Sequence, residues 1–229
     1  MANTKTPLQV SYEAHHRDHS RYGFSYLGEE RGKRFASWIG TGKRILDLGC
    51  RDGVLTQYYL PGNRVTGIDI DRHALAIAHE RTGMAVLWQD LNHVALPLAD
   101  RSFDIVVAGE VLEHLEDPAA LVEEALRVLR PAGGFVGSVP NSFHWRFRLA
   151  SLRGQDIEDP THLSRLSRSD MRVLLRGFAH LELVPIGGMG GRMIPMVPKT
   201  MSQLLLRLWP DLLANDLVFF ARRIGETPA

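Results

Sequence analysis

The sequence lacks the features that mark export, disulfide bonding or membrane insertion. Its single cysteine, Cys50, excludes an internal disulfide and a multi-cysteine metal site, as is typical of a protein in a reducing cytoplasm. No stretch contains the roughly 18 uninterrupted apolar residues of a membrane span, and the first residues lack a hydrophobic signal region. We therefore expect a cytoplasmic protein without a membrane span.

An excess of charge of one sign is also missing. The 229 residues carry 27 Lys and Arg against 26 Asp and Glu, which gives a formal net charge of +1. A balance this close to neutral produces no overall field that would attract nucleic acid or an anionic membrane. Nucleic acid is therefore not an expected partner.

Short apolar runs alternate with helical patterns from Arg44 onward. This alternation is the rhythm of βαβ units and predicts an α/β fold. We expect a doubly wound, Rossmann-like and mostly parallel seven-stranded sheet, with antiparallel pairing at its edge. The predicted strands are residues 44–48, 64–69, 85–89, 103–108, 134–139, 181–184 and 217–221, and the predicted helices lie near residues 54–60, 72–81, 118–130, 142–153 and 169–176.

The chain is expected to form a single domain in three parts. Residues 1–40 form an N-terminal helical or lid segment, residues 41–140 a cofactor-binding core, and residues 141–229 the acceptor-side elements. An insertion at residues 186–215, which begins with methionines and glycines, precedes the last strand. It could be a substrate cap or a homodimer contact, or only an elongated loop with a core helix.

The most informative motif is a glycine turn after the first predicted strand. Residues 45–53 read Ile-Leu-Asp-Leu-Gly-Cys-Arg-Asp-Gly, and the glycines let the backbone approach a ligand. Asp69 closes the next apolar run 20 positions after Gly49, where a second strand delivers a carboxylate to a ribose. The G-x-G-x-x-G spacing of a dinucleotide site is missing. Asp47 would repel a pyrophosphate but favour the ammonium group of a methionine moiety.

With these motifs, residues 44–139 resemble the class I S-adenosylmethionine (SAM)-dependent methyltransferases. The resemblance implies SAM as cofactor, with Asp69 on the ribose hydroxyls and Asp90 facing the adenine amine. Arg51 departs from the family, because most members carry glycine at that place in the turn. Its side chain could touch cofactor or substrate, but we favour a side chain turned to solvent with only its backbone lining the site. The expected cofactor-binding residues are Asp47, Gly49, Arg51, Gly53, Asp69, Ile70, Asp90, Leu91 and Glu110.

Four residues are candidates for catalysis. Glu113 and His114 lie in Gly-Glu-Val-Leu-Glu-His, which resembles the motif beside the sulfonium pocket, where His114 could act as a base or only shape the pocket. His144 lies in a stretch that resembles MetW-like proteins and sugar-modifying methyltransferases. It is a candidate base because it follows the fifth strand, where open α/β folds bind ligands, or else a helix-start histidine bonded to backbone. His162, in the loop beyond, is a second candidate base or a ligand of the acceptor.

The same loop contains carboxylates that could hold a metal. Asp156 and Asp159, with Glu158 between them, offer the oxygen ligands that Mg²⁺ prefers. The alternative is an ordinary solvated loop. Mg²⁺ is therefore only an optional cofactor of the predicted protein.

The sequence as a whole predicts a SAM-dependent O-methyltransferase. A hydroxyl is a poor acid, so an enzyme that methylates it needs a base for the leaving proton. The acceptor is expected to be a small molecule, with a sugar or glycan first because of the likeness after the fifth strand. The alternatives are N-methylation of a small molecule and a MetW-like partner protein in methionine biosynthesis.

Overall fold

The computed structural model describes residues 22–93, 95–155, 157, 159, 161–187 and 198–225. These residues form a single seven-stranded sheet, as the sequence predicts. The strands are β1 (Arg44–Leu48), β2 (Arg64–Asp69), β3 (Ala85–Trp88), β4 (Phe103–Gly109), β5 (Leu129–Pro140), β6 (His180–Ile186) and β7 (Asp216–Arg222).

The strand order is β3-β2-β1-β4-β5-β7-β6. Strands β1 to β5 are parallel, whereas β7 lies antiparallel between β5 and β6. The predicted Rossmann-like, mostly parallel α/β fold is therefore confirmed. Because the order reverses beside β1, the carboxyl ends of β1 and β4 flank a crevice of the kind that binds ligands in open α/β sheets.

The central strands are buried on both faces. In β4, Val106 belongs to one hydrophobic cluster, whereas Ile105 and Val107 belong to the other. Successive side chains of a strand point to opposite faces, so the two clusters are the cores above and below the sheet. This explains the continuous apolar runs by which the strands are recognised in the sequence.

The helices begin where the sequence provides a cap. Asp117 accepts hydrogen bonds from the amides of Ala119 and Ala120, with Pro118 at the first helical position, and Ser167 and Asp170 form a capping box. The helices are α1 (Gly28–Ile39), α2 (Arg72–Thr82), α3 (Pro118–Val128), α4 (Trp145–Leu152), α5 (Arg168–Leu174), α6 (Lys199–Leu208) and α7 (Pro210–Leu213).

One predicted helix, near residues 54–60, is wrong. Only a 3₁₀ turn forms there, at Thr56–Tyr58. Both Thr56 and Tyr59 direct their hydroxyls to the carboxylate of Asp47 at the end of β1, and Pro61 follows directly. The segment is therefore shaped by the strand beneath it more than by its own periodicity.

Parts of the predicted organisation lie outside the described residues. These parts are residues 1–21 of the N-terminal segment and residues 188–197 of the insertion. Within the described part of the chain, no helix has the length and apolar character needed to cross a membrane.

Candidate active site

A cavity of about 200 Å³ opens at the carboxyl ends of β1, β2 and β4. Eight of the nine predicted cofactor-binding residues line it, and Gly53 does not. Three of the four catalytic candidates, Glu113, His114 and His162, line the same cavity. The motifs recognised along the sequence therefore meet in one place.

The turn after β1 has a left-handed backbone at three positions. The φ angles are +67° at Gly49, +46° at Arg51 and +72° at Gly53. A Cβ atom on Gly49 would lie 2.4 Å from Cγ2 of Val111, so this glycine is required for the close approach as well as for its backbone angle. Gly53 ends the turn by donating its amide to the Cys50 carbonyl.

Asp47 lies beneath the turn and is buried. Its Oδ2 accepts hydrogen bonds of 2.7 Å from the hydroxyls of Thr56 and Tyr59. Burial raises the pKa of Asp47 to about 6, and the two hydroxyl hydrogen bonds oppose that rise. The carboxylate is thus mostly ionised at pH 7 while bordering a cavity.

Asp69, at the end of β2, receives the backbone of the turn. Its Oδ2 accepts from the amide of Arg51 at 2.7 Å, and its Oδ1 from the amide of Asp71 at 2.8 Å. The cap of α2 is Asp71 and not Asp69, because Asp71 accepts from the amides of His73 and Ala74 at the start of that helix. Asp69 thereby borders the cavity and holds the glycine turn through the amide of Arg51.

The preference for a solvent-turned Arg51 side chain is wrong. Its Nε lies 3.2 Å from Oδ1 of the fully buried Asp52, and its Nη2 donates to the carbonyl oxygen of Phe24. Asp52 also accepts from the amide of Gly23 at 2.6 Å and from Arg81 at 2.9 Å. The buried carboxylate attracts the guanidinium inward, and the guanidinium in turn holds the chain before α1 at the edge of the cavity.

Beyond β3, the predicted adenine-facing residue shapes a tight turn. Asp90 Oδ1 accepts from the amide of Asn92 at 2.9 Å, and its Oδ2 lies 3.2 Å from Nδ1 of the exposed His93. Leu91 and Ile70 supply apolar lining near this carboxylate. The end of the cavity beside β2 and β3 therefore offers carboxylates and flat apolar surface together.

Glu113, His114 and His162 form a second, compact group in the cavity wall. One potential ligand atom from each lies within 4.8 Å of the others. Nδ1 of His114 is 3.0 Å from the carbonyl oxygen of Thr161, so this nitrogen carries the proton and Nε2 does not. Nε2 lies 3.9 Å from Oε1 of Glu113, and the two imidazole rings meet edge to face at 4.9 Å.

The electrostatics of this group are unusual. Glu113 is 1% exposed, and neither carboxylate oxygen has a hydrogen-bond partner among the described residues. Its pKa is raised well above the ordinary value, first by burial and then by the charge of Glu110. Burial also lowers the pKa of His114 to about 4, so the ring is neutral at pH 7.

The fourth catalytic candidate, His144, does not line the cavity. It is buried at the N-terminus of α4, where Nδ1 accepts from the amide of Arg146 at 3.4 Å. Its pKa is lowered to about 4, chiefly by burial. The position is therefore that of the helix-start histidine bonded to backbone.

The predicted magnesium loop is only partly described, since Asp156 and Glu158 lie outside the described residues. Asp159 accepts from the amide and the hydroxyl of Thr161, at 3.0 and 2.7 Å. It thereby orders the turn that presents His162 to the cavity. Among the described residues, the group suited to a metal consists of Glu113, His114 and His162.

Among the cavity residues that the sequence did not predict, Arg31 and Thr161 matter most for the site. Arg31 lies on α1 and contacts Glu110 and Ser138, which follow much later in the chain, and Thr161 contributes a backbone carbonyl. The one local signal for Arg31 is an arginine on the apolar face of a helix. Thr161 has no sequence signal, because any residue carries a carbonyl.

An open, mostly parallel sheet with a glycine turn after β1 and carboxylates after β2 and β3 defines a nucleotide-cofactor protein of the Rossmann-like class. Residues 46–137 match the family described as "Methyltransferase domain". A Mycolicibacterium smegmatis protein named "Probable S-adenosylmethionine-dependent methyltransferase" is 35% identical over 139 residues, covering 58% of this chain and 50% of that protein. Residues 46–137 are therefore similar to the methyltransferase domain of SAM-dependent methyltransferases.

Other relatives agree with this assignment. A Ralstonia nicotianae ubiquinone biosynthesis O-methyltransferase is 37% identical over 97 residues, covering 40% of this chain and 41% of that protein. The chain spans about half the length of the curated relatives it matches. A chain from the complex of the Haloferax volcanii Trm112 methyltransferase activator with a methyltransferase has the same fold, with a TM-score of 0.67, 18% identity and coverage of 99% and 100%.

Proposed function

We propose that this protein transfers the methyl group of SAM to a hydroxyl oxygen of a small acceptor. The observation that carries the proposal is one cavity lined both by the glycine turn with its carboxylates, called here the donor end, and by Glu113, His114 and His162, called the acceptor end. A donor bound at the first group of residues would present its sulfonium toward the second. Alignment of donor and acceptor in this way can supply roughly 7 to 11 kcal/mol in the best intramolecular cases.

The donor end has the chemistry that SAM requires. Ribose hydroxyls and an adenine amine are hydrogen-bond donors, and Asp69 and Asp90 offer carboxylate acceptors. The ionised Asp47 suits the ammonium group, and Gly49 provides the close approach of the backbone. We propose these four residues, with Arg51, Ile70, Leu91 and Glu110, as the SAM site, and Gly53 as the residue that completes the turn.

At the acceptor end, His114 is the proposed base. Its neutral ring and its unprotonated Nε2 are suited to accept a proton from an acceptor hydroxyl. A pKa of about 4 makes His114 a weak base. A second group that lowers the pKa of the acceptor hydroxyl would therefore help the reaction. His162, beside it, is the alternative base.

A divalent cation fits the same group as the alternative to a histidine base, because Nε2 of His114 cannot bind the ion and accept the proton at the same time. Glu113 presents two buried oxygens without hydrogen-bond partners in the described part of the chain. The Thr161 carbonyl accepts from Nδ1 of His114, and a bond of this kind orients an imidazole whose other nitrogen binds a metal. One carboxylate with two imidazoles takes Mn²⁺, Fe²⁺ or Zn²⁺ more readily than Mg²⁺. Such an ion would act as a Lewis acid that lowers the pKa of an acceptor hydroxyl.

The identity of the acceptor is the least constrained part of the proposal. A sugar or glycan is supported by the sequence likeness after β5, and a ring hydroxyl of a quinone precursor by the names of the ubiquinone biosynthesis relatives. The Glu113 carboxyl oxygens, which lack hydrogen-bond partners in the described part of the chain, could accept a hydrogen bond from an amine acceptor, so N-methylation is the second candidate. All three acceptor types are small molecules.

The test is a screen of acceptors with methyl-labelled SAM. Saccharides, dihydroxybenzoates and amines are each incubated with the protein after chelation and after addition of Mn²⁺, Zn²⁺ or Mg²⁺. The proposal expects a labelled methyl ether and one equivalent of S-adenosylhomocysteine, with more product when a divalent ion is present. Labelled methylamine products would favour the second candidate, and SAM binding without any transfer would favour the MetW-like partner role.

A further inference from the structure

We infer that Arg31 is a positioning residue that fixes Glu110 and the chain segment at the cavity mouth as one unit. The inference rests on the proposed function, because the unit encloses the proposed SAM site. The segment is residues 22–27, called here the N-terminal strap. Arg31 itself is 3% exposed and lies one turn into α1.

The guanidinium of Arg31 joins two parts of the cavity wall. Its Nη1 lies 3.0 Å from Oε1 of Glu110 and donates to Oγ of Ser138 at 3.1 Å. Its Nη2 donates to Oγ of Ser25 at 2.7 Å and to the carbonyl of Tyr26 at 2.6 Å. A planar fork can make these contacts at once, whereas an ammonium group is a single point charge.

Glu110 is a residue that needs such support. Its φ angle is +59°, a left-handed conformation that is costly for a residue with a Cβ, and strain of this kind persists only where the surroundings hold it. Ser138 holds it twice, because its carbonyl accepts from the Glu110 amide at 3.0 Å and its hydroxyl donates to Oε1 at 2.8 Å. Arg31 is the other side chain that contacts Oε1 of Glu110.

The strap is held at its other end by the glycine turn. Asp52 accepts from the amide of Gly23, and Arg51 donates to the carbonyl of Phe24. The strap therefore spans from the residues at the donor end to Arg31, which contacts Glu110. Movement of the strap at the Arg31 end would release one of the two supports of the Glu110 side chain.

The charges around Arg31 favour the same arrangement. Its Nε lies 3.9 Å from Oδ2 of the buried Asp216, and Glu110 lies on its other side. Loss of the guanidinium would leave these carboxylates facing each other, and Glu110 would then turn away from the cavity wall or attract another cation. Arg31 therefore contributes both a set of hydrogen bonds that fix the position of Glu110 and a positive charge between two carboxylates. A lysine at this position can supply only the charge.

The experiment compares Arg31→Lys and Arg31→Met with Arg34→Met, an exposed arginine on the same helix, as the matched control. SAM affinity is measured by calorimetry, amide hydrogen exchange reports on residues 22–27, and thermal unfolding reports on the fold. Both Arg31 variants are expected to weaken SAM binding at least tenfold and to accelerate exchange in the strap. Arg31→Lys is expected to retain the thermal stability that Arg31→Met loses.

A double-mutant cycle with Glu110→Gln separates positioning from general destabilisation. The doubly substituted protein should bind SAM no more weakly than the worse single variant, because the second change removes a support that is already lost. Wild-type affinity in Arg31→Lys, or additive losses in the cycle, would overturn the inference. If the unsubstituted protein does not bind SAM, the proposed function fails, and exchange in the strap still decides whether Arg31 holds it.

Discussion

The hydroxyl of Tyr59 donates a 2.7 Å hydrogen bond to Oδ2 of Asp47, within a site where both side chains are buried. The bond keeps a carboxylate at the end of β1 that burial alone would push further toward its neutral form. It also explains why the segment after the glycine turn is drawn down onto the strand. Asp47 is consequently poised to change charge near pH 6.

SAM affinity should therefore depend on pH through Asp47. The ionised form attracts the ammonium group, and protonation removes that attraction as the pH falls through about 6. Below that value the affinity is expected to decrease by up to roughly tenfold per pH unit, measured by calorimetry between pH 5 and 8. Asp47→Asn should bind weakly at every pH, and an unchanged wild-type affinity from pH 8 to 5 would contradict this role.

Gly49→Ala should abolish SAM binding, whereas Gly83→Ala should not. Both glycines have φ angles near +67°, but only at Gly49 would the new Cβ meet another side chain, that of Val111 at 2.4 Å. The left-handed backbone should cost each variant about 1 to 2 kcal/mol of unfolding free energy, measured by urea denaturation. Equal losses in the two variants would show that the contact with Val111 is unimportant.

Arg51→Gly, which restores the residue that most of the family carries, should have opposite effects on the turn and on the strap. Glycine relieves a left-handed backbone at φ +46° but removes the contacts with Asp52 and the Phe24 carbonyl. We expect faster hydrogen exchange in residues 22–27 and several-fold weaker SAM binding. The control is Arg172→Gly, at an exposed arginine. An Arg51→Gly protein that binds SAM as tightly as the wild type would show that the contacts of Arg51 with Asp52 and the Phe24 carbonyl do not support SAM binding.

Glu113→Gln should stabilise the metal-free protein while it impairs the reaction. A buried carboxylate without hydrogen-bond partners is costly, and the neutral amide of the same shape should raise the unfolding free energy by about 1 to 3 kcal/mol. Methyl transfer and Mn²⁺ binding should both be lost, the second measured by electron paramagnetic resonance. The exposed Glu116→Gln is the control. A Glu113→Gln protein that is both less stable and fully active would refute the assignment.

The fold could be predicted from the sequence because its signals are local. The caps at Asp117 and Ser167 and the apolar run of β4 each depend on residues close together in the chain. The position of β7 between β5 and β6 could not be predicted, since an antiparallel strand can pair at either place with the same pattern. Longer-range pairing decides that choice.

The residues that line the cavity beside β1, β2 and β3 were predictable for a similar reason. They follow the ends of successive strands, so the fold brings them together once the strands are placed. His144 also follows a strand end, yet Asn141 ties that turn to the carbonyl of Ala214, and the histidine caps α4 outside the cavity. The role of Arg31 depends on the docking of α1 on the sheet, which its one local signal, an arginine on the apolar face of a helix, does not reveal.

The central claim is tested most directly by transfer of label from methyl-labelled SAM to a small acceptor. Wild-type protein, Asp69→Ala and Glu113→Gln are compared over the acceptor panel, with S-adenosylhomocysteine quantified in each reaction. Only the wild-type protein is expected to form labelled product, with one S-adenosylhomocysteine for each methyl group transferred. Methyl transfer at this site would be contradicted if the wild-type protein bound no SAM, or if Asp69→Ala and Glu113→Gln transferred methyl groups at the wild-type rate.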